Sequence, residues 1–395
     1  MNKDVLIVGG GFGGVKAALE LAGEPSLKIT LLSDQETFRY YPSLYHTATG
    51  GTAAQSNIPL KTIFAGKPVT LATGEAKAIN KDTHTLETSG GQKYHYDFLI
   101  LALGVVTNYF GIKGLEEYSY DVKSLEEAEK LKHHLHQQLL DKHEPDLNYI
   151  IIGGGPTGIE LAGALPEYLE HIMKNHALQP RKIHIDLVEA APRLMPRMSD
   201  KMSEAIATQL EKIGVTLYLG QKVEGETADA LMVSGKPITS HTVIWTAGVT
   251  NHPFFKDNEF ELIDKGKVVV DPYLQAAPDI FILGDNANTP FSGMAQTALY
   301  DAKFVSRNLR RHMAGKPPQA YRPKKPIYVT PAGPHWAAVL WGKVELYGYV
   351  GWLLRELADF VAFHDLEPLR KASKQWLTEF TEQEECPECA KASSR

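Results

Sequence analysis

One segment of this chain occurs twice, and the repeat limits the fold more than any other feature. Residues 5–21, VLIVGGGFGGVKAALEL, return 144 positions later as YIIIGGGPTGIELAGAL at 149–165, with seven of the 17 positions identical. Each copy runs from a short β-branched apolar stretch through a glycine turn into a helical pattern, which reads as strand, phosphate loop and helix. A lone G-x-G-x-x-G is weak evidence, because glycine turns are common. Two copies, each flush against a strand, carry much more weight.

A second pair of features keeps the same step. Phe98-Leu99-Ile100-Leu101-Ala102-Leu103 ends at Gly104, and Val243-Ile244-Trp245-Thr246-Ala247 ends at Gly248. Gly9 to Gly104 and Gly153 to Gly248 are both 95 residues. The economical reading is an α/β protein with two Rossmann-like, doubly wound domains, each binding a dinucleotide. In such a loop the first glycine (Gly9, Gly153) allows the turn, the second (Gly11, Gly155) lets backbone approach a pyrophosphate, and the third (Gly14, Gly158) permits close helix–strand contact. Helix N-terminal amides and the macrodipole then stabilise the diphosphate.

An acid at the end of the second strand is expected to read the ribose. In the second copy, Ile183-His184-Ile185-Asp186-Leu187-Val188 ends at Glu189, which would accept hydrogen bonds from ribose hydroxyls and repel a 2′-phosphate, favouring NADH over NADPH. Arg193 nearby argues mildly the other way. In the first copy the expected position falls on Ser33 unless the turn slips by one residue; Asp34 is the preferred reader, with Ser33 the alternative.

Composition narrows the partners. The 395 residues carry 47 acids against 41 bases, a net charge of −6, which argues against nucleic acid as a partner because phosphate binding needs a concentrated basic surface. The two cysteines, Cys386 and Cys389, both lie in the last ten residues, so no disulfide framework is expected. Their C-x-x-C supplies only half of a zinc site, and His133, His134 and His136 sit in a charge-rich helical run read as a solvated face, so no metal is assigned. No signal peptide is read at the N-terminus, and no stretch approaches the ~18 apolar residues of a membrane span. The expectation is a cytoplasmic protein, soluble or peripherally attached.

With these residues in view, the chain resembles the flavoproteins with two dinucleotide-binding domains, and within them the type II NADH:quinone oxidoreductases. The resemblance rests on the two glycine loops, on Asn108 to Ala128 as the linker between domains, on the strand Thr242 to Val249, and on Phe281-Ile282-Leu283-Gly284-Asp285. It implies FAD and NADH as cofactors and a discontinuous FAD domain, residues 1–112 and 250–320, around an NADH domain at 113–249. It also implies that Gly284 and Asp285 hold the flavin's ribityl chain, that Pro42 in Tyr40-Tyr41-Pro42-Ser43-Leu44 packs near the isoalloxazine, and that Glu160 lies between flavin and nicotinamide. A desolvated carboxylate there would handle a proton.

Gly293 to Asp301 resembles the helix at the flavin's far edge. Gln296 matches the family's glutamine, while the later glutamine positions hold Tyr300 and Asp301, a departure that bears on quinone as acceptor. Gln296 and Tyr300 are the candidate groups on the acceptor side. With no thiol in the body of the chain, disulfide reduction and sulfide oxidation are disfavoured, and direct electron transfer to a small acceptor is favoured.

Residues 321–395 read as a segment for membrane association or dimerisation with a flexible tail. Trp336, Trp341, Trp352 and Trp376 fall there, with Leu353, Leu354, Leu357 and Val361 on one face of a helix and Lys324, Lys325, Lys343 and Arg355 nearby. The family places such helices in the bilayer interface, so a lipid surface is an expected partner, a homodimer a possible one, and the cytoplasmic face of the cell membrane the expected site. The resulting reading is transfer of a hydride from NADH to flavin and of two electrons to a quinone, menaquinone or ubiquinone. Two rivals stand beside it: a soluble NADH-dependent reductase of a redox protein or oxygen, and a nicotinamide-sensing flavoprotein module.

Overall fold

The computed structural model describes residues 2–141, 147–179 and 181–366. Cys386, Cys389 and Trp376 lie outside the described residues.

The first glycine loop joins the strand Lys3–Val8 to helix α1 (Phe12–Leu21). That strand is the centre of a six-stranded sheet in the order Gln275–Ala277, Ile280–Ile282, Phe98–Leu101, Lys3–Val8, Leu27–Ser33, Val69–Thr73. All neighbours are parallel except the first two, which pair antiparallel. The second glycine loop joins Asn148–Ile152 to helix α2 (Pro156–Asn175), which has Pro in its first turn, where a missing N–H costs nothing. This strand lies between His184–Glu189 and Thr242–Trp245 in a parallel sheet edged by Val215–Leu219.

The two units match in register. Ile7 faces Leu31 and Ile100 across its neighbours, and Ile151 faces Leu187 and Ile244; all six side chains are fully buried. Such strands, covered on both faces by helices or meanders, read as continuous apolar runs. Each unit also inserts a three-stranded antiparallel meander between the third and fourth strands of its main sheet in chain order, over Ala76–His95 in the first and Val223–Thr239 in the second. The chain passes between units along a two-stranded ribbon, where Val105–Thr107 pairs antiparallel with Val249–Asn251.

Helix α3 (Ala295–Met313) packs along α1. Beyond it, Tyr328–Pro331, Ala337–Trp341 and Val344–Leu346 form a small antiparallel sheet against α2, where a Cβ on Gly163 would come within 2.2 Å of the Gly333 amide nitrogen. Helix α4 (Tyr349–Leu366) then returns to the first unit. Asp365 near its end pairs with Lys16 of α1 at 3.2 Å and Lys303 of α3 at 3.4 Å. No helix among the described residues is long and apolar enough to cross a membrane.

Candidate functional site

The glycines of the two loops divide by cause, and the division repeats. Gly9 and Gly153 hold φ of +115° and +114°, and a Cβ there would strike Ala102 O at 2.2 Å or Ala247 Cα at 2.8 Å. Gly14 and Gly158 pack so closely that a Cβ would sit 2.0 Å and 1.9 Å from the carbonyl oxygens of Gly9 and Gly153. Gly11 and Gly155 differ: both have ordinary negative φ, and a Cβ on either would meet nothing within 4 Å. Neither backbone strain nor packing requires glycine there. The bare backbone at each helix N-terminus fits close approach of a pyrophosphate.

In the first unit the loop opens on a cavity of about 400 Å³, lined among others by Gly9, Gly11, Ser33, Asp34, Arg39, Tyr41 and His252. Ser33 is buried and occupies the strand-end position opposite Gly10, where a Cβ would lie 2.4 Å from its Oγ. Asp34 stands one residue further out, half-exposed, with its carboxylate 2.6 Å from Arg39 Nη2. Both candidates for reading the ribose therefore line the same cavity, and Ser33 holds the position equivalent to Glu189.

The turn after Ile280–Ile282 closes the far side of this unit. Gly284 has φ +62° and donates its amide to Asp301 Oδ2 at 3.0 Å. Asp285 Oδ1 accepts the Gly293 amide at 3.0 Å. Burial pushes the Asp285 carboxyl up, opposed by Lys267, the Gly293 amide and Lys123. Next to it, Asn286 receives the Gly104 amide at 2.9 Å and donates back to the Gly104 carbonyl at 2.6 Å, stapling the turn to the end of Phe98–Leu101. A single asparagine after a Gly-Asp carries no sequence signal for that role. Gly104 has φ +72°, whereas Gly248 is glycine for space: a Cβ would lie 2.5 Å from the Phe110 ring and 2.7 Å from Asn108 O. The equal spacing of these two glycines thus conceals two different local causes.

In the second unit Glu189 ends its strand with both oxygens turned back into the loop, accepting the amides of Gly154 and Ala191 at 2.6 Å each. Arg193 is fully committed elsewhere. It donates to Met198 O, Ser203 Oγ and Pro196 O and pairs with Asp200 at 3.1 Å. That engagement removes the guanidinium as a ready partner for a 2′-phosphate.

Glu160 lies in the first turns of α2, and burial pushes its carboxyl up to about 8; Arg355 of α4 pulls it down and Asp359 pushes it further up. Arg355 donates to Asp359 and to Pro42 O at 3.2 Å, and the Tyr40 hydroxyl donates to Asp359 at 2.5 Å. Glu160, Tyr40, Pro42, Arg355 and Asp359 thus come from three distant stretches of chain to one place. The sequence pointed to the first and third of these. Tyr40 and Asp359 bore no pattern of their own, and Arg355, read as a cation at the bilayer interface, instead faces inward and is 9% exposed.

Gln296 is half-buried, and its amide is taken up by backbone, accepting from Ile327 N at 3.0 Å and donating to Ile327 O at 3.2 Å. Tyr300 lies under Lys324, with Nζ 5.3 Å from the ring centroid. Asp301 is fully buried and accepts the Gly284 amide. The three histidines diverge: His134 stacks on Tyr120, His133 meets Gln137, and His136 meets Lys132 O and Tyr168.

Residues 3–302 match the family described as pyridine nucleotide-disulphide oxidoreductase. The type II NADH:quinone oxidoreductase of Staphylococcus saprophyticus is 25% identical over 340 residues, covering 80% of this chain and 84% of that one. The protein of the same name from Staphylococcus aureus is 26% identical over 339 residues, with the same shares covered. Among solved structures, NDH2 from Plasmodium falciparum in complex with NADH superposes with a TM-score of 0.85 at 17% identity, over 96% of this chain and 98% of that one. The sulfide:quinone oxidoreductase of Aquifex aeolicus gives 0.79 at 19% identity, over 98% of each chain. At those identities the two structures speak for the fold.

Proposed function

This chain belongs to the pyridine nucleotide-disulphide oxidoreductase family, and from that premise we propose that it is an FAD-dependent NADH dehydrogenase that passes two electrons to a membrane quinone. The observation that carries the reading is the pair Gly11 and Gly155, two glycines that the protein itself does not need, each at the mouth of a matching loop. Two such loops in one chain serve two dinucleotides. The Staphylococcus relatives bear the name of this activity.

We assign residues 1–112 and 250–320 to FAD and 113–249 to NADH. Gly9, Gly11 and Gly14 hold the FAD diphosphate, Asp34 or Ser33 its ribose, and Asp285 its ribityl chain, with Gly104 and Gly284 shaping the turns beside it. Gly153, Gly155 and Gly158 hold the NADH diphosphate, Glu189 reads its ribose, and Gly248 lets the chain pass close beneath. Bound FAD supplies the two-electron chemistry between nicotinamide and acceptor. The protein orients the rings and excludes water. Glu160, protonated near neutrality beside Arg355, holds a proton where a reduced quinone needs one. Pro42 is fixed by its carbonyl contact with Arg355.

The acceptor is argued in part by exclusion, since the only thiols are Cys386 and Cys389 and none lies in the body of the sequence to relay electrons or trap sulfur. Helix α4 supports attachment to a lipid surface: Tyr349, Val350, Leu353, Leu357 and Val361 are exposed, with Trp341 and Val344 beside them. An apolar stripe turned outward suits the bilayer interface. Residues 321–395 are accordingly the membrane-association segment, with a homodimer across the same stripe as the competing use, and the cytoplasmic face of the cell membrane is the proposed site. Two observations favour a soluble reductase instead: Tyr300 stands where the family has a glutamine, and Gln296 is occupied by Ile327.

Turnover of NADH with menaquinone and ubiquinone analogues, together with flotation on liposomes, tests the reading. Quinone turnover and flotation are expected. Turnover with soluble redox proteins alone, without flotation, would replace it with the soluble reductase.

A further inference from the structure

The segment 316–326 carries no helix or strand, yet it is stitched along α3. Asn308 and Gln319 exchange two hydrogen bonds at 2.9 and 3.0 Å, and Arg311 Nε donates to Pro317 O at 2.8 Å. Tyr321 donates its amide to Pro272 O at 2.7 Å and sets its ring edge-on against Phe304, with centroids 5.0 Å apart. Its hydroxyl reaches inward to Asp301 Oδ1. Asp301 is fully buried, and its other oxygen accepts the amide of Gly284 at 3.0 Å. A continuous chain of hydrogen bonds therefore runs from the strap, through Asp301, to the turn that carries Asp285.

Asn286 and Asp285 tie the following residues of the turn to Gly104 and Gly293, while at Gly284 itself the amide is held by Asp301. The Gly284 φ of +62° lies in the left-handed region, where glycine has no steric preference to hold it, and a Cβ there would press on Ala298 at 3.0 Å. A buried carboxylate needs donors on both oxygens; removing one leaves the group underpaired in a dry site, which costs more than the bond itself contributed. The carboxylate would then shift toward its remaining donors, and the Gly284 amide is one of them.

We propose that Tyr321 and Asp301 are positioning residues for the flavin: the strap, which lies beyond the family-matched residues 3–302, holds the Gly284–Asp285 turn in the shape that grips the cofactor. This rests on the assignment of FAD to the first unit. It gives a purpose to the Asp301 carboxylate, which stands where the resemblance led us to expect a glutamine on the acceptor side.

Tyr321→Phe in the full chain isolates the effect, because it removes one hydroxyl and keeps the ring on Phe304. The apoprotein is titrated with FAD, and NADH binding is measured separately. The expected result is FAD affinity at least tenfold weaker with NADH affinity unchanged. Asn308→Ala, which loosens the strap without touching Asp301, is expected to weaken FAD in the same direction, and Asp301→Asn combined with Tyr321→Phe to weaken it less than the sum of the single changes. Wild-type FAD affinity in Tyr321→Phe would overturn the proposal, as would equal losses of FAD and NADH affinity, the sign of general destabilisation. Failure of the wild-type chain to take up FAD at all would instead overturn the cofactor assignment.

Discussion

Arg355 and Asp359, one helical turn apart on α4, form an ion pair turned into the protein, at 9% and 2% exposure. The opposite face shows Leu353, Leu357 and Val361 to solvent. The helix is inverted relative to an ordinary surface helix, which hides its apolar stripe and exposes its charges. Tyr40 and Pro42 complete the buried side, so the charges that anchor α4 also set the surroundings of Glu160.

Breaking that pair from one side is expected to be expensive. Arg355→Met leaves Asp359 charged and uncompensated, with an expected loss of about 3–5 kcal/mol in denaturant unfolding. Arg355→Met with Asp359→Leu removes both charges and is expected to recover most of it. Similar stability in the single and double variants would contradict a buried, mutually dependent pair.

The outer face is tested separately. Leu357→Lys with Val361→Lys places two charges on the stripe, and flotation with liposomes is expected to fall by tenfold or more. Reduction of a water-soluble acceptor by NADH should stay unchanged, since neither side chain reaches the glycine loops. Undiminished flotation would assign the stripe to another partner.

Much of this arrangement was legible in the chain, and the reasons are physical. The two loops announce themselves because a Cβ at positions 9, 14, 153 or 158 would meet a neighbour at 1.9–2.8 Å, well inside van der Waals contact, and local constraints of that kind leave a spaced pattern. Strands such as Tyr149-Ile150-Ile151-Ile152 are apolar at every position because both faces are covered. The two meanders at 76–95 and 223–239 escaped, since short strands with mixed composition look like loops until they pair. Arg355 was misplaced for a related reason: along a sequence, a charge on an amphipathic helix reads as exposed, and only tertiary contacts with Tyr40, Pro42 and Asp359 turn it inward. Asp301 likewise finds its partner in Tyr321, twenty residues away on a segment with no periodicity.

The role proposed for Glu160 predicts a pH dependence. Its carboxyl is raised to about 8, so it holds its proton at pH 7 and releases it as the pH climbs through 8. Quinone turnover is expected to decline above pH ~8 in the wild type as the proton donor is lost. In Glu160→Gln the rate should be lower at neutral pH and the inflection near 8 absent. A pH profile of kcat that is the same in both proteins would remove the proton role.

Nucleotide choice tests the role proposed for Glu189. A charge-assisted hydrogen bond is worth about 1.5–3 kcal/mol, so Glu189→Ala is expected to raise KM for NADH by roughly 10- to 100-fold. No matching gain for NADPH is expected, because Arg193 is held by Met198, Ser203, Pro196 and Asp200. Steady-state KM values for both nucleotides check this, and an unchanged KM for NADH would sink the ribose assignment.

On the proposed function, one chain holds flavin and nicotinamide in duplicated cradles with their reactive rings in contact. Anaerobic mixing of the purified, yellow protein with one equivalent of NADH tests it most directly. Rapid loss of the flavin's visible absorbance is expected, with one NADH oxidised per flavin and much slower bleaching by NADPH. A protein that arrives colourless and cannot be reconstituted with FAD, or a bound flavin that NADH leaves oxidised, would contradict it.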